Sequence, residues 1–382
     1  MRSLPAILHL AATTQVFAAQ PQIDKARQRL NAAVAMGTIG SAVGLIADRD
    51  SVLLLHATGE LGPATPMTPD AIVRLASITK PITAVAILMM EELGMLSLSD
   101  SVTRWFPGFG ERVIVGTDRV IARRKVTVYD LLTHQSGVAT DGPEYFKLFD
   151  AASAQEFSRG LGALPLRFHP GERWEYGCCG SAYEVLGAIV EQVSGTSLKE
   201  FLTTHIFLPL QMHDTYFSVP PEKRSRLAAQ YRRDSTGALT PARQRGQEEP
   251  ENSFYSGAGG LRSTVHDFHR FIQFLIGRGM LDGVRLLRAE TVDRMITSQV
   301  AAGNSGGFGW GFGVAVGLEG QSSGPLSPGV FGWCGGTGTQ FAADPRTGRI
   351  AIIIVPTSPG TPGVSALRNV FIQDALALPS SR

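Results

Sequence analysis

Apolar residues recur at helical spacing over Ile23–Ala35. They do so again in the stripe Ile78, Ile82, Val85, Ala86, Met89, Met90 and Leu93, which stops at Gly94. Between these helices, Ser41–Ala47 and Ser51–Ala57 are short apolar runs around Asp48-Arg49-Asp50, a pattern that predicts a β-hairpin. From Asp100 to Ala301 the chain alternates helical patches with long polar connections. Ser218–Ser253 is the most polar of these and predicts a solvated loop able to wall a pocket. Beyond Phe308 the runs Gly309–Val316, Gly338–Ala343 and Arg349–Val355 are Gly-punctuated or β-branched and predict three more strands. Val364–Leu378 closes the chain as a helix. Strands at both ends with helices between them predict an α+β fold. Its sheet domain is formed by residues 21–99 and 302–382, and a mainly helical domain, 100–301, is inserted. There is no internal repeat.

Composition narrows the classes. Of 382 residues, 43% are hydrophobic and 18% charged, which supports a packed core and excludes a largely disordered chain. Lys and Arg number 35 against 33 Asp and Glu, so no basic field exists to draw nucleic acid. No apolar run reaches the roughly 18 residues of a membrane-spanning helix. Residues 1–20 allow two readings. Arg2, the apolar stretch Leu4–Ala12 and the small residues of Val16-Phe17-Ala18 fit a secretion leader cleaved near residue 18, hence a periplasmic or secreted protein. His9 and Thr13-Thr14-Gln15 interrupt that pattern and fit a leader arm or frayed helix of a cytoplasmic one. The three cysteines, Cys178, Cys179 and Cys334, are too few and too odd for a disulfide framework. They read as free thiols crowding one site, with a Cys178–Cys334 bond as the minor alternative.

Three clusters carry candidate chemistry. In Ser77-Ile78-Thr79-Lys80, serine and lysine three apart share a helix face. Ser77 sits where the helical stripe begins, and the N-terminal dipole favours a developing alkoxide there. Lys80 lies among Leu75, Ile78 and Ile82, and burial would favour the neutral amine, a base. The second cluster, Pro170-Gly171-Glu172-Arg173-Trp174-Glu175-Tyr176-Gly177-Cys178, is a turn that presents Tyr176 just before a helix. A tyrosine beside a lysine can relay protons if cations favour its phenolate. The third, Gly332-Trp333-Cys334-Gly335-Gly336-Thr337-Gly338-Thr339, is glycine-dense enough for close backbone approach and an exposed N–H for an oxyanion.

In this order and spacing the clusters resemble the serine β-lactamase-like superfamily, which comprises class C β-lactamases, D-alanyl-D-alanine carboxypeptidases and family VIII carboxylesterases. The resemblance runs from about Ile23 to Leu378. It is supported by Val126-Thr127-Val128-Tyr129-Asp130-Leu131-Leu132-Thr133-His134-Gln135-Ser136-Gly137, by Leu208-Pro209-Leu210-Gln211-Met212 and by Gly259-Gly260-Leu261-Arg262-Ser263-Thr264. It implies the β-lactamase/transpeptidase-like fold, an antiparallel sheet flanked by helices. It also implies Ser77 as nucleophile, Lys80 as general base, Tyr176 as proton-transfer partner and the Ser77 and Gly336 N–H groups as oxyanion hole. The acyl-enzyme would go to water or to an alcohol. No metal or organic cofactor is implied.

Two departures shape the substrate expectation. The family's Tyr-x-Asn becomes Tyr176-Gly177-Cys178, and a thiol is a poor substitute for an amide. The family's Lys-Thr-Gly or His-Thr-Gly becomes Trp333-Cys334-Gly335, and no lysine follows Lys223 to meet a penicillin carboxylate. Tryptophan there resembles the carboxylesterases and suits an ester acyl group. Trp333, Cys178, Cys334 and Gly335 are therefore the expected substrate-binding positions. The expected function is hydrolysis of small carboxylic esters. Alternatives are a β-lactamase or penicillin-binding carboxypeptidase, an acyltransferase, or a non-catalytic binding protein. The expected partner is a small-molecule ester; oligomeric state is not legible. Two decoys are set aside. Gly303-Asn304-Ser305-Gly306-Gly307 fits Gly-x-Ser-x-Gly but lies between a helix end and a strand, the reverse of a nucleophile elbow. His266 and His269 sit one turn apart without a third metal ligand in view. His134 is expected to serve packing and hydrogen bonding in its loop.

Overall fold

The computed structural model describes residues 5–110, 113–114, 120–177, 180–242, 254–301, 307–321, 324–358 and 360–379, with side chains from residue 20. Cys178, Cys179 and Ser305 lie outside them. A helix α1 (Pro5–Ala35) leads into β1 (Ser41–Ala47), β2 (Val52–Gly62) and the short β3 (Thr65–Pro66). A 3₁₀ turn, Ala76–Thr79, then runs into α2 (Lys80–Glu92). The middle of the chain carries α3 (Val128–Leu132), α4 (Ala154–Ala163), α5 (Ala182–Ser194) and α6 (Val265–Ile276). It ends in β4 (Gly309–Trp310), β5 (Ala315–Val316), β6 (Phe331–Cys334), β7 (Thr339–Asp344), β8 (Arg349–Ile354) and α7 (Val364–Leu376).

The sheet order is β4-β5-β6-β7-β8-β1-β2-β3, antiparallel throughout. Val43 opposite Ile354 and Ala47 opposite Ile350 join the early strands to the late ones at its centre. Both β1 and β8 are buried along their whole length, because helices cover both faces. The period of two then sorts their side chains. Val43, Leu45, Ile350, Ile352 and Ile354 enter the large core with α2 and α6. Ala42, Ile46, Ala351 and Ile353 meet Ile23 and Leu30 of α1 and Phe371 and Ile372 of α7.

Three expectations need correction. Gly309–Val316 is not one strand but two, β4 and β5, folded back where Gly311 N–H donates to the Val314 carbonyl at 2.9 Å. Gly313, at φ +82°, permits that turn. The polar stretch after Ser218 is not simply loop. It holds a 3₁₀ segment, Pro221–Arg226, and a hairpin that pairs Gln230–Arg233 with Leu239–Ala242. Its polarity reflects solvent exposure of a two-stranded ribbon, not lack of structure. Ser77 also does not open an α-helix. It lies within the 3₁₀ turn, and α2 begins only at Lys80. The preceding Ala76 sits at φ +48°, which reorients the chain there. Among the described residues no helix is long and apolar enough to cross a membrane.

Candidate active site

The Ser77 turn is tied down on two sides. Val73 and Arg74 pair with Ser263 and Arg262. Leu75 N–H donates to the Leu261 carbonyl at 2.9 Å, and Leu261 N–H reaches Thr79 Oγ1 at 3.3 Å. On the other side, Thr337 Oγ1 donates to the Arg74 carbonyl at 2.7 Å and Thr339 Oγ1 to the Leu75 carbonyl at 2.9 Å. The turn that follows β6 is therefore pinned to the backbone just ahead of Ser77. Gly335 is the contact point. A Cβ there would overlap the Leu75 carbonyl and Thr339 Oγ1 and meet Ala76 Cβ. Gly336 lies over open space, and its N–H has no partner among the described residues. Gly336 is thus a free amide donor on the turn pinned to the backbone ahead of the half-buried Ser77.

Lys80 is fully buried on the first turn of α2, and its Nζ donates to the Ala258 carbonyl at 2.9 Å. It lies 5.0 Å from the ring centroid of Tyr176 and 5.8 Å from that of Tyr183. Gly180, at φ +68°, makes room for it, since a Cβ there would overlap Lys80 Cε and Nζ. The Tyr176 hydroxyl is buried and makes no hydrogen bond among the described residues. Thus Lys80 and Tyr176, far apart in sequence, are brought together beside the Ser77 turn.

His134 seats Tyr176. Its carbonyl accepts from Glu175 N–H at 2.9 Å. Its ring centroid lies 4.9 Å from that of Tyr176, 5.0 Å from Trp310 and 5.2 Å from Tyr183. The Leu132 carbonyl accepts from both Tyr183 Oη (2.8 Å) and Trp310 Nε1 (3.1 Å), closing the cluster. Burial, assisted by the charge on Lys80, holds the His134 imidazole well below its ordinary range and so neutral. Packing accounts for this residue as expected, but its Nε2 is buried without a hydrogen bond. Burial likewise pushes the Tyr183 phenol well up, leaving it an un-ionised donor.

Trp333 packs against Tyr176 at 5.1 Å, Trp310 at 4.5 Å and Phe308 at 6.0 Å between centroids. Trp174 stacks on Tyr176 at 6.2 Å. Three of the chain's four tryptophans therefore gather here, which identifies the wall beside Lys80 as apolar and aromatic. Sequence reasoning misses Trp310, Phe308 and Trp174. The signal available for them is the clustering of a rare residue in glycine-flanked segments. Cys334, next along β6, is a free thiol, and burial pushes it up against smaller pulls from Arg368 and Lys80. The expected crowding of all three cysteines involves Cys178 and Cys179, outside the described residues. On α6, His266 is exposed and His269 buried. No group of three or more potential metal ligands occurs among the described residues.

A sheet covered on both faces, with a serine turn, a buried lysine and a glycine-rich turn pinned together beside it, fits a serine hydrolase. The chain matches the Beta-lactamase family over residues 26–377 and belongs to it. It is 31% identical to Protein Rv1367c of Mycobacterium tuberculosis over 373 residues, 87% of this chain and 92% of that protein. It is 30% identical to Esterase EstB of Burkholderia gladioli over 373 residues, 88% of this chain and 90% of that protein. Among solved structures it superposes on EstCE1, a hydrolase with promiscuous acyltransferase activity. The TM-score there is 0.81 at 25% identity, covering 94% of this chain and 99% of that one. The chain is thus a serine β-lactamase-like enzyme close to the family VIII carboxylesterases, of the kind that acts through an acyl-serine.

Proposed function

We propose that this enzyme hydrolyses small carboxylic esters, with Ser77 as nucleophile, Lys80 as general base and Tyr176 as the group that passes the proton on. Ser77 Oγ attacks the ester carbonyl as Lys80 takes its proton. The oxyanion rests on the Ser77 and Gly336 N–H groups. Tyr176 protonates the departing alkoxide and is reprotonated through Lys80. Water then attacks the acyl group, surrenders a proton to the same pair, and Ser77 leaves as the hydroxyl with release of the acid. No cofactor enters these steps.

The observation that carries the reading is the placement of Lys80. A fully buried amine, held by one carbonyl 2.9 Å away and 5.0 Å from the ring of a tyrosine whose hydroxyl is unengaged, is arranged for proton transfer and not for solvation. Trp333, Gly335 and Cys334 would line the acyl side, with Cys178 nearby in sequence. An aromatic wall favours an apolar acyl group over the carboxylate of a penicillin. The promiscuous acyltransferase activity of EstCE1 supports acyl transfer to an alcohol as a second reading of the same intermediate. The division into an α/β unit (21–99, 302–382) and a mainly helical insertion (100–301) is proposed with it. It is supported by the eight-stranded sheet, whose strands lie within residues 41–66 and 309–354, while the insertion adds only short two-stranded pairs among the described residues.

The test is intact-mass detection of the acylated protein after 4-nitrophenyl esters of graded acyl length, beside nitrocefin. Ser77→Ala is expected to lose both adduct and turnover while unfolding like the parent. Lys80→Ala and Tyr176→Phe should each lower kcat by about 10²-fold or more. A label on another side chain, or full activity in Ser77→Ala, ends the proposal. Rapid nitrocefin turnover moves the substrate to β-lactams. An alcohol that diverts the acyl group into a new ester establishes the second reading.

A further inference from the structure

One buried carboxylate takes no part in the mechanism above. Glu184 lies on α5 among Val185, Leu186, Ala188 and Ile189, all buried, and is itself only 6% exposed. Its Oε1 accepts from Ser256 Oγ at 2.6 Å, while Oε2 makes no hydrogen bond among the described residues. Drawing a carboxylate into an apolar layer costs stability even with such partners, so its presence points to another role. Burial raises its carboxyl, and the Ser256 hydroxyl, then the charge on Lys80, then the Ala258 and Gly257 amides pull it back.

The segment Ser256–Gly259 connects the two groups. Ser256 Oγ, which donates to Glu184, accepts from Gly259 N–H at 3.1 Å. Two residues on from Ser256, the Ala258 carbonyl holds Lys80 Nζ at 2.9 Å. Between them the Gly257 carbonyl accepts from Thr83 Oγ1 of α2 at 2.8 Å. A Cβ at Gly257 would overlap the Tyr183 carbonyl, so the segment is seated directly against α5. We infer that Glu184 is a positioning residue for Lys80: through Ser256 it fixes the carbonyl that holds the amine, and its charge supports the protonated amine during turnover. The inference rests on the serine–lysine reading above.

Other groups also face Lys80. Tyr176 comes from its loop, Tyr183 from α5, His134 from the end of α3 and Cys334 from β6. Among these, burial holds His134 neutral, the Tyr183 phenol well up and the Cys334 thiol up. Glu184 is thus the carboxylate in this set.

The experiment compares pH profiles of kcat/KM for 4-nitrophenyl butyrate in the full chain, Glu184→Gln and Ser256→Ala, with thermal unfolding and intact-mass detection for each. Glutamine keeps the size and the acceptor for Ser256 but removes the charge. The acid limb of Glu184→Gln is expected to move to lower pH by about one unit. Ser256→Ala keeps the charge and loosens the carbonyl, so kcat should fall several-fold with the limb in place. An unmoved limb in Glu184→Gln, or an equal shift in both variants, overturns the inference. Should Glu184→Gln fail to fold, Glu184→Asp is decisive: it retains charge but not reach, and should show a parental limb with reduced kcat. A moved limb there overturns the inference. A label landing away from Ser77 in the parent instead removes the serine–lysine reading, and this one with it.

Discussion

By its resemblance to the family, Trp333 stands where β-lactam-directed members carry a cation, and its neighbours are Tyr176, Trp310 and Phe308. An indole here excludes water and offers apolar contact, so its removal should weaken binding of the acyl chain more than the chemistry. Trp333→Ala is expected to lower kcat/KM for a butyrate ester by about thirtyfold, the equivalent of about 2 kcal/mol of lost apolar contact. Acetate esters should suffer less, and steady-state kinetics across acyl lengths checks this. At this scale motif order supplies the candidates Ser77, Lys80, Tyr176, Trp333 and Gly336, and the structure brings Lys80, Tyr176 and Trp333 into one cluster. Glu184 is not legible in the sequence, because a lone acidic residue within Tyr183-Glu184-Val185-Leu186 looks like the wet face of an amphipathic helix. Only the packing of α5 against α2 and the Ser256 segment shows that face to be dry.

Among the elements, the turn after β6 is what sets the Gly336 amide. Two threonine hydroxyls and the missing Cβ of Gly335 lock it to the backbone ahead of Ser77. Gly335→Ala must push the turn away from Leu75. The expected result is a loss of about 10²-fold in kcat with KM little changed, as for removal of one oxyanion donor. Single-turnover kinetics should place the loss in acylation. The glycine density of this segment is visible in the sequence, but which glycine accommodates a close approach and which leaves an amide free is not. That assignment depends on Arg74 and Leu75, more than 250 positions earlier in the chain. The β4–β5 turn is likewise hidden, because Gly311 and Gly313 punctuate a run whose apolar residues continue unbroken on both sides.

For the molecule as a whole, acid should act through buried imidazoles before carboxylates. Burial, aided by His266 and Arg270, holds His269 at about 4. In the unfolded chain its value is near the ordinary 6.5, so between pH 6.5 and 4 only the unfolded state takes up the proton. Stability must therefore fall as pH drops through that window, by up to about 3 kcal/mol, and then level off. His134 adds to the loss with the same sign. Urea midpoints from pH 7 to 4 should decline, and His269→Phe should flatten part of the decline. Below that range Asp214 takes over. Burial opposes its ionisation, but Arg226 and Lys223 outweigh it and hold the carboxyl at about 2. Stability from this group is present above the ordinary carboxylate range and is lost as pH falls toward 2. The architecture itself is readable from apolar runs at both ends of the chain around a mainly helical middle, a pattern met most simply by one sheet built from both ends. The hairpin in the polar stretch after Ser218 is not, because its strands are short and mostly polar, with only Tyr231 fully buried.

The central pairing of β1 with β8 has a bearing on how the enzyme comes into being. A ribosome delivers the serine early, yet Thr337, which braces the backbone ahead of it, lies 263 residues beyond its acceptor Arg74. Loops of that span close late. A nascent chain thus carries the Ser77 turn unbraced through most of its synthesis, and the turn is fixed only once the late strands dock.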